Sequence, residues 1–229
     1  VIGVIFVYYA IKRIADLVFA TLGLIVLSPF LIPVIIVLRF TGEGLVFFRQ
    51  RRLGYNNKPF GVLKFVTMQK DSPSTGTITA SNDTRILPFG KFLRNTKINE
   101  LPQLINVLVG EMSIVGPRPL TEEAFGLYSD KLKPLIYKSR PGVTGIGSLV
   151  FRHEESVLAK SNKPRNQCYR EDILPIKGAL EVWYSKHKSP WVDMKIVVLT
   201  ALALLSLDKK LYLKWFRDLP INKADLKFI

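Results

Sequence analysis

The sequence predicts an α/β protein in the loose sense, mainly helical with a few short strands, carried on a proline-broken N-terminal membrane helix. Three observations predict it. Residues 14–38 read IADLVFATLGLIVLSPFLIPVIIVL, with no charge from Leu17 to Leu38, long enough for a transmembrane helix of roughly 20 residues. Strand-like runs are few and short, at 45–50 and 60–65. Elsewhere apolar residues recur at helical spacing, and nothing signals a doubly wound sheet.

Composition narrows the partners. The chain has 229 residues, enough for one good core with a membrane appendage. Its formal net charge is +15, 48% of its residues are hydrophobic, and its mean hydropathy is +0.20. Basic and apolar together point to anionic membrane lipids and argue for no nucleic acid partner, since no DNA- or RNA-reading motif is visible. The single Cys168 forms no internal disulfide, which fits a reducing cytoplasm. Two histidines and one cysteine, widely spaced, make no zinc constellation.

Residues 1–13 form an apolar and basic lead-in, and 14–40 the membrane helix. No A-x-A-like cleavage site follows, so the segment is not read as a secretory signal. Lys12 and Arg13 lie on one flank and Arg39, Arg49, Arg51 and Arg52 on the other. Basic flanks face the cytoplasm, and here both qualify. Ser28-Pro29 lies mid-segment with Pro33 beyond, where the helical ladder loses donors. A helix that breaks at Ser28-Pro29 and leaves by the face it entered satisfies both observations; a kinked spanning helix is the alternative.

Residues 41–190 are expected to form the cytoplasmic body. Strands at 45–50 and 60–65 flank a turn at Gly54-Tyr55-Asn56-Asn57. Lys64, at a strand end, is placed to donate to an anion or to lie solvated on a strand edge. Residues 70–85 read as a long loop, 89–96 as a short helix bearing Arg94, and 169–184 as a helix packed through Trp183 and Tyr184. Residues 139–148, SRPGVTGIGS, read as a tight exposed loop, and 151–155, FRHEE, as a solvated turn. Residues 191–229 hold interfacial or packing helices; the stretch 196–207 is too short to span.

The densest signal is 97–119, KINELPQLINVLVGEMSIVGPRP. Asn99-Glu100 precedes a helix with Pro102 in its first turn, and Leu101, Leu104, Ile105 and Leu108 give that helix an apolar face. Main-chain N–H groups at a helix start favour anions. Arg118 lies between Pro117 and Pro119, a guanidinium on a stiff tether. A carboxylate near a helix start plus a rigid arginine suits phosphate handling.

This block resembles the D-E-L-P-Q…G-[DE]-M-S-x-V-G-P-R-P signature of the bacterial sugar transferases called monotopic phosphoglycosyl transferases. Further matches are Lys12-Arg13-Ile14-Ala15-Asp16, Ser28-Pro29, the run Gln50, Arg52, Gly54, Lys64, Phe65, Thr67 and Met68, then Asn82-Asp83-Thr84-Arg85 and Arg140-Pro141-Gly142-Val143-Thr144-Gly145. The resemblance implies transfer of a sugar 1-phosphate from a UDP-sugar to a polyprenol phosphate with Mg2+, releasing UMP and initiating glycan assembly. It implies a bacterial inner (cytoplasmic) membrane location with the body on the cytoplasmic face. It assigns metal binding to Glu100, substrate phosphates to Arg94, Arg118 and Lys64, and the nucleophile to position 99. A homodimer is compatible with the sequence.

Two positions depart from the pattern: Val66 replaces an arginine, and Asn99 replaces the family's attacking aspartate. A neutral amide is a far poorer nucleophile than a carboxylate. Three readings follow. The enzyme is active, through Glu100 or through direct attack by the lipid phosphate; the chain is an impaired relative that binds nucleotide sugar or acts as a scaffold; or Asn99 is an introduced, substrate-trapping change. A membrane-anchored interaction module would have no reason to keep Lys64, Arg94, Glu100 and Arg118 together.

Overall fold

A computed structural model describes residues 2–42, 44–69, 84–205, 207, 210–222 and 225; for residues 2–6 and Glu155 it describes the backbone alone. Most of the expected 70–85 loop, with Asn82 and Asp83, lies outside the described residues.

The first element, α1, is a single helix of 39 residues, Ile2–Phe40. It begins inside the expected lead-in and passes Ser28-Pro29 without a gap. Pro29 has no N–H to give the Ile25 carbonyl, but the Ser28 hydroxyl donates to that oxygen at 2.7 Å. At 1.5 Å per residue α1 runs about 58 Å, twice the ~30 Å of a hydrocarbon core. One stripe of it, Asp16, Ala20, Leu31, Val34 and Leu38, is buried, with Leu24 and Leu27 half-buried between. The spacing is helical, so one face rests on the body from Asp16 to Leu38. The opposite face is bare and apolar: Ile14, Ile25, Val26 and Phe30 are each more than 60% exposed.

Three polar residues fasten the near end of α1. Lys12 pairs with Asp193 at 2.7 Å. Arg13 donates to the Val107 and Leu108 carbonyls at 2.7 and 2.9 Å. Asp16, buried, accepts from the Ser113 hydroxyl and the Ile114 N–H at 3.0 and 2.9 Å. A buried carboxylate is tolerable only with such partners.

An antiparallel hairpin follows, β1 (Phe47–Leu53) with β2 (Pro59–Phe65). Its turn places Asn56 and Asn57 at φ of 53° and 59°, a left-handed conformation that asparagine tolerates. Helix α2 (Pro88–Asn95) leads into a 3-10 turn, Ile98–Glu100, and then α3 (Gln103–Val109). The expected apolar face of α3 is rotated: Gln103, Leu104, Asn106 and Val107 are buried, whereas Ile105 is exposed. Asn106 causes this, accepting from Leu63 N–H at 2.9 Å and donating to the Gly61 carbonyl at 2.8 Å, which turns that face toward β2.

Strand β3 (Ser113–Val115) pairs in parallel with β4 (Gly142–Thr144), with short helices α4 (Glu122–Gly126) and α5 (Lys133–Ile136) between them. Then come α6 (Ile146–Val150), α7 (Glu154–Lys160), α8 (Arg165–Cys168), a π-helical turn at Tyr169–Ile173, and α9 (Leu174–His187). The Arg140–Gly145 segment is not exposed as expected: Pro141, Gly142 and Gly145 are buried, because this stretch supplies a strand. Trp183 and Tyr184 do pack inward.

Helix α10 (Pro190–Leu204) is capped by the Ser189 hydroxyl, which accepts from Val192 N–H at 3.2 Å. It packs on the body through one face. Ile196, Leu199 and Ala203 enter the core, while Trp191, Met194 and Leu204 are exposed. In the tail, α11 (Tyr212–Trp215) buries Tyr212, and Phe216 follows it into the same core.

Candidate active site

The site is built around the turn Ile98–Glu100. Lys97 takes a left-handed φ of 61° and redirects the chain from α2. Ile98 and Leu101 then pack into a cluster with Leu31, Val34 and Leu38 of α1. Glu100, between them, is thereby fixed against the apolar helix while its carboxylate points elsewhere.

That carboxylate meets two cations. Arg118 Nη2 donates to Glu100 Oε1 at 3.2 Å, and Lys64 Nζ lies 3.8 Å from the same oxygen. Alternation along β1 puts Gln50 and Arg52 on one face. The Gln50 side-chain oxygen accepts from Lys64 Nζ at 3.1 Å and from Arg52 Nη2 at 2.8 Å, so an amide aligns two cations beside one carboxylate.

Charge sets the protonation. Burial raises the Glu100 pKa, but Arg118 and then Lys64 outweigh burial and hold it down at about 2. Burial lowers Lys64 to about 8, with Glu100 opposing and Arg52, Arg118 and Arg94 assisting. Burial, then Arg118, lowers Arg52 to about 10. At neutral pH the carboxylate is ionised and Lys64 is charged but close to releasing its proton.

The arginine loop is held by its neighbour in space. Gly116 N–H donates to the Thr144 carbonyl at 3.0 Å and Gly142 N–H to the Pro117 carbonyl at 2.9 Å. A Cβ on Gly116, Gly142 or Gly145 would strike the facing backbone. The second glycine-rich motif is therefore the seat of the first. On the other side Tyr137 Oη donates to the Arg118 carbonyl at 2.8 Å and accepts from Leu120 N–H at 2.9 Å.

Glu100, Arg118 and Arg52 open onto a cavity of about 870 Å³ whose far wall includes Arg152, Glu154, Arg165, Lys177 and Glu181. The cavity is within the size range of a small-molecule site. Asn99 is not on this wall. Its side chain is buried, and Oδ1 has no hydrogen-bond partner among the described residues.

Of the residues singled out in the sequence, Glu100, Arg118 and Lys64 come together. Arg94 lies near enough to depress Lys64, and its guanidinium donates to the Met68 sulfur at 3.7 Å. His153 and Glu154 line the same cavity, and Glu154 is ion-paired with Lys177. Sequence reasoning missed Arg52 and Gln50 as site residues, although their i, i+2 spacing on a strand was available. Glu181 and Tyr137 carried no local signal.

Among the described residues no group of three or more His, Cys, Asp or Glu side chains could hold a metal. The donor set does fit a magnesium ion that arrives on a diphosphate, since Mg2+ uses few carboxylates alongside phosphate and water. Glu100, ionised, is the residue that would contact it.

The family model described as Bacterial sugar transferase matches residues 7–207. The chain is 38% identical over 193 residues to a UDP-glucose:undecaprenyl-phosphate glucose-1-phosphate transferase of Klebsiella pneumoniae, covering 82% of this chain and 39% of that protein. It is 37% identical over 165 residues to the exopolysaccharide production protein ExoY of Sinorhizobium fredii, covering 65% of this chain and 73% of the relative. With the sugar transferase EpsL of Bacillus subtilis the identity is 34% over 195 residues, 85% of this chain and 87% of the other. The chain thus spans about two fifths of the Klebsiella relative, which is covered to 39%.

Proposed function

The chain belongs to the bacterial sugar transferases, and on that premise we propose that it transfers a sugar 1-phosphate from a UDP-sugar to a polyprenol phosphate, releasing UMP. The observation that carries this is the Glu100 carboxylate, flanked by Arg118 and Lys64 and set by Ile98 and Leu101 against the apolar helix α1. A soluble anionic donor and a membrane-bound anionic acceptor would meet at such a place.

The bare face of α1 lies in the bilayer in this reading. The basic flanks at both ends favour entry and exit on one side, and contact with the body from Asp16 to Leu38 favours a helix that does not leave the body behind. The membrane is the bacterial inner membrane and the body faces the cytoplasm.

In the transfer, an oxygen of the polyprenol phosphate attacks the phosphorus that bears the sugar. The new P–O bond forms as the bond to the UMP oxygen breaks, and UMP leaves with that electron pair. Arg118, Arg52 and Lys64 offset the negative charge gathered at this phosphorus. Magnesium, when bound, neutralises charge on the diphosphate, and Glu100 holds it there. Asn99, a neutral amide away from the cavity wall, supports attack by the lipid phosphate itself rather than by a side chain at position 99; attack by the Glu100 carboxylate is the alternative.

Purified protein in detergent, given Mg2+, polyprenol phosphate and a panel of UDP-sugars beginning with UDP-glucose, should release UMP only when both substrates are present. No UMP with any UDP-sugar would overturn the enzyme reading in favour of a nucleotide-sugar-binding scaffold. A stoichiometric UMP burst without acceptor, with an adduct on Glu100, would replace direct transfer by covalent transfer.

A further inference from the structure

Glu181 is a buried carboxyl on the wall of the cavity that Glu100 and Arg118 also line, and the transfer chemistry gives it no part. It sits on α9, only 6% exposed. Its Oε2 is buried with no hydrogen-bond partner among the described residues, a state that costs stability unless something is gained. Lys177, one turn back on the same helix, pairs with Glu154 and lies over the Phe151 and Tyr169 rings at 5.5 and 5.4 Å. Its charge is thus met by another carboxylate.

Glycine places this carboxyl beside the arginine loop. On α6, Gly147 leaves room for Glu181: a Cβ there would stand 2.5 Å from Oε1. Two residues earlier in the same segment, Gly145 lies against the Gly116 carbonyl, which a Cβ would approach to 2.1 Å. One short stretch of backbone therefore seats the loop that carries Arg118 and admits Glu181 next to it. A carboxyl in a site of cations gives phosphate no attraction, so its ligand is a neutral part of the substrate with hydroxyl or N–H donors. The neutral group bonded directly to the reacting phosphorus is the sugar; uridine lies one phosphate farther off.

We propose that Glu181 is a sugar-reading residue: its unpaired buried oxygen takes a hydrogen bond from a hydroxyl of the sugar whose diphosphate lies at Arg118 and Glu100. This deepens the transfer reading and rests on it for the identity of the ligand as a UDP-sugar. A site built to hydrogen-bond a hydroxyl is left with an unpaired buried group when that hydroxyl is missing or displaced, so Glu181 favours one hydroxyl pattern over another.

Titration calorimetry on the full chain in detergent, with Mg2+ and no polyprenol phosphate, compares UDP with UDP-glucose, UDP-galactose and UDP-N-acetylglucosamine. Glu181→Leu, similar in size but with no acceptor, should weaken the tightest-binding of these UDP-sugars roughly tenfold, the scale of one hydrogen bond at a buried group, and leave UDP affinity unchanged. Glu181→Gln, which keeps one acceptor oxygen, should show the same selective loss at smaller size. Because UDP shares the nucleoside and the diphosphate, a packing defect or a contact to uridine would lower both affinities together. Equal losses for UDP and the UDP-sugar, unchanged UDP-sugar affinity in both folded variants, or no UDP-sugar binding by the wild type would each overturn the proposal. UMP release by the wild type with polyprenol phosphate is scored separately: its absence counts against the transfer reading, while the ratio of UDP-sugar to UDP affinity still decides the role of Glu181.

Discussion

Arg118 and Glu100, 18 residues apart, meet at 3.2 Å because two unrelated constraints converge on them. Glu100 is set by hydrophobic packing of its neighbours on α1, and Arg118 by the backbone fit of two glycine-rich segments. Neither residue needs the other to be placed. Their contact is available to be exchanged for contacts to a phosphate and its metal.

Lys64 should govern the alkaline limb of activity. Its pKa is lowered to about 8 by burial, so its charge is lost as pH rises through that value, and UMP release should fall with it. Lys64→Arg, always charged, should move the limb upward even if its maximum is lower. The same lowering affects stability with a definite sign. The unfolded chain keeps this proton up to about 10.5, so the Lys64 contribution rises from pH 8 to 10.5, and thermal scans of Lys64→Met should lack that rise.

Glu181 should act oppositely at lower pH. Burial raises it from 4.5 to about 8, so the folded chain holds a proton that the unfolded chain releases. Its contribution is fully present below 4.5 and is lost as pH rises through 8. Glu181→Gln should remove that decline, as read from melting temperatures across the range.

Asp16→Ala should loosen α1 from the body. It removes the acceptor for both the Ser113 hydroxyl and the Ile114 N–H. Leaving such buried donors unpaired costs about 1–3 kcal/mol, measurable by chemical unfolding in detergent. Asp16→Asn, which keeps one acceptor oxygen, should lose less.

The two ends of α1 should be reachable from the same side of a membrane. Cysteines placed at Val7 and at Gly42 should both label with an impermeant reagent from the cytoplasmic face; Cys168 is buried and gives little background. Labelling from opposite faces would mean that α1 spans.

Much of this architecture was legible in the sequence. The hairpin showed itself through two short apolar runs around Tyr55-Asn56-Asn57, and α2 and α9 through helical spacing. The apolar run of α1 was plain, but the effect of Ser28-Pro29 was not. Whether a proline ends a helix depends on where the orphaned carbonyl finds a donor, and here the adjacent hydroxyl supplies one. The orientation of α3 was misread because a polar residue, Asn106, is drawn inward by β2. In the site, Glu100, Arg118 and Lys64 stood out as motif residues. Tyr137 did not, since it acts on a loop 19 residues away through one main-chain group. The role of Arg140–Gly145 was hidden for the same reason: close backbone approach needs two segments, and a sequence displays them singly.

The most direct test is UMP release by wild type and Glu100→Gln with UDP-sugar, polyprenol phosphate and Mg2+ all present, the two proteins matched for melting temperature. Glu100→Gln keeps the size of the side chain and removes the charge that faces Arg118 and Lys64. Turnover should fall by roughly 100-fold or more, the scale of losing one electrostatic group at a reacting centre. Undiminished UMP release from Glu100→Gln would contradict the account.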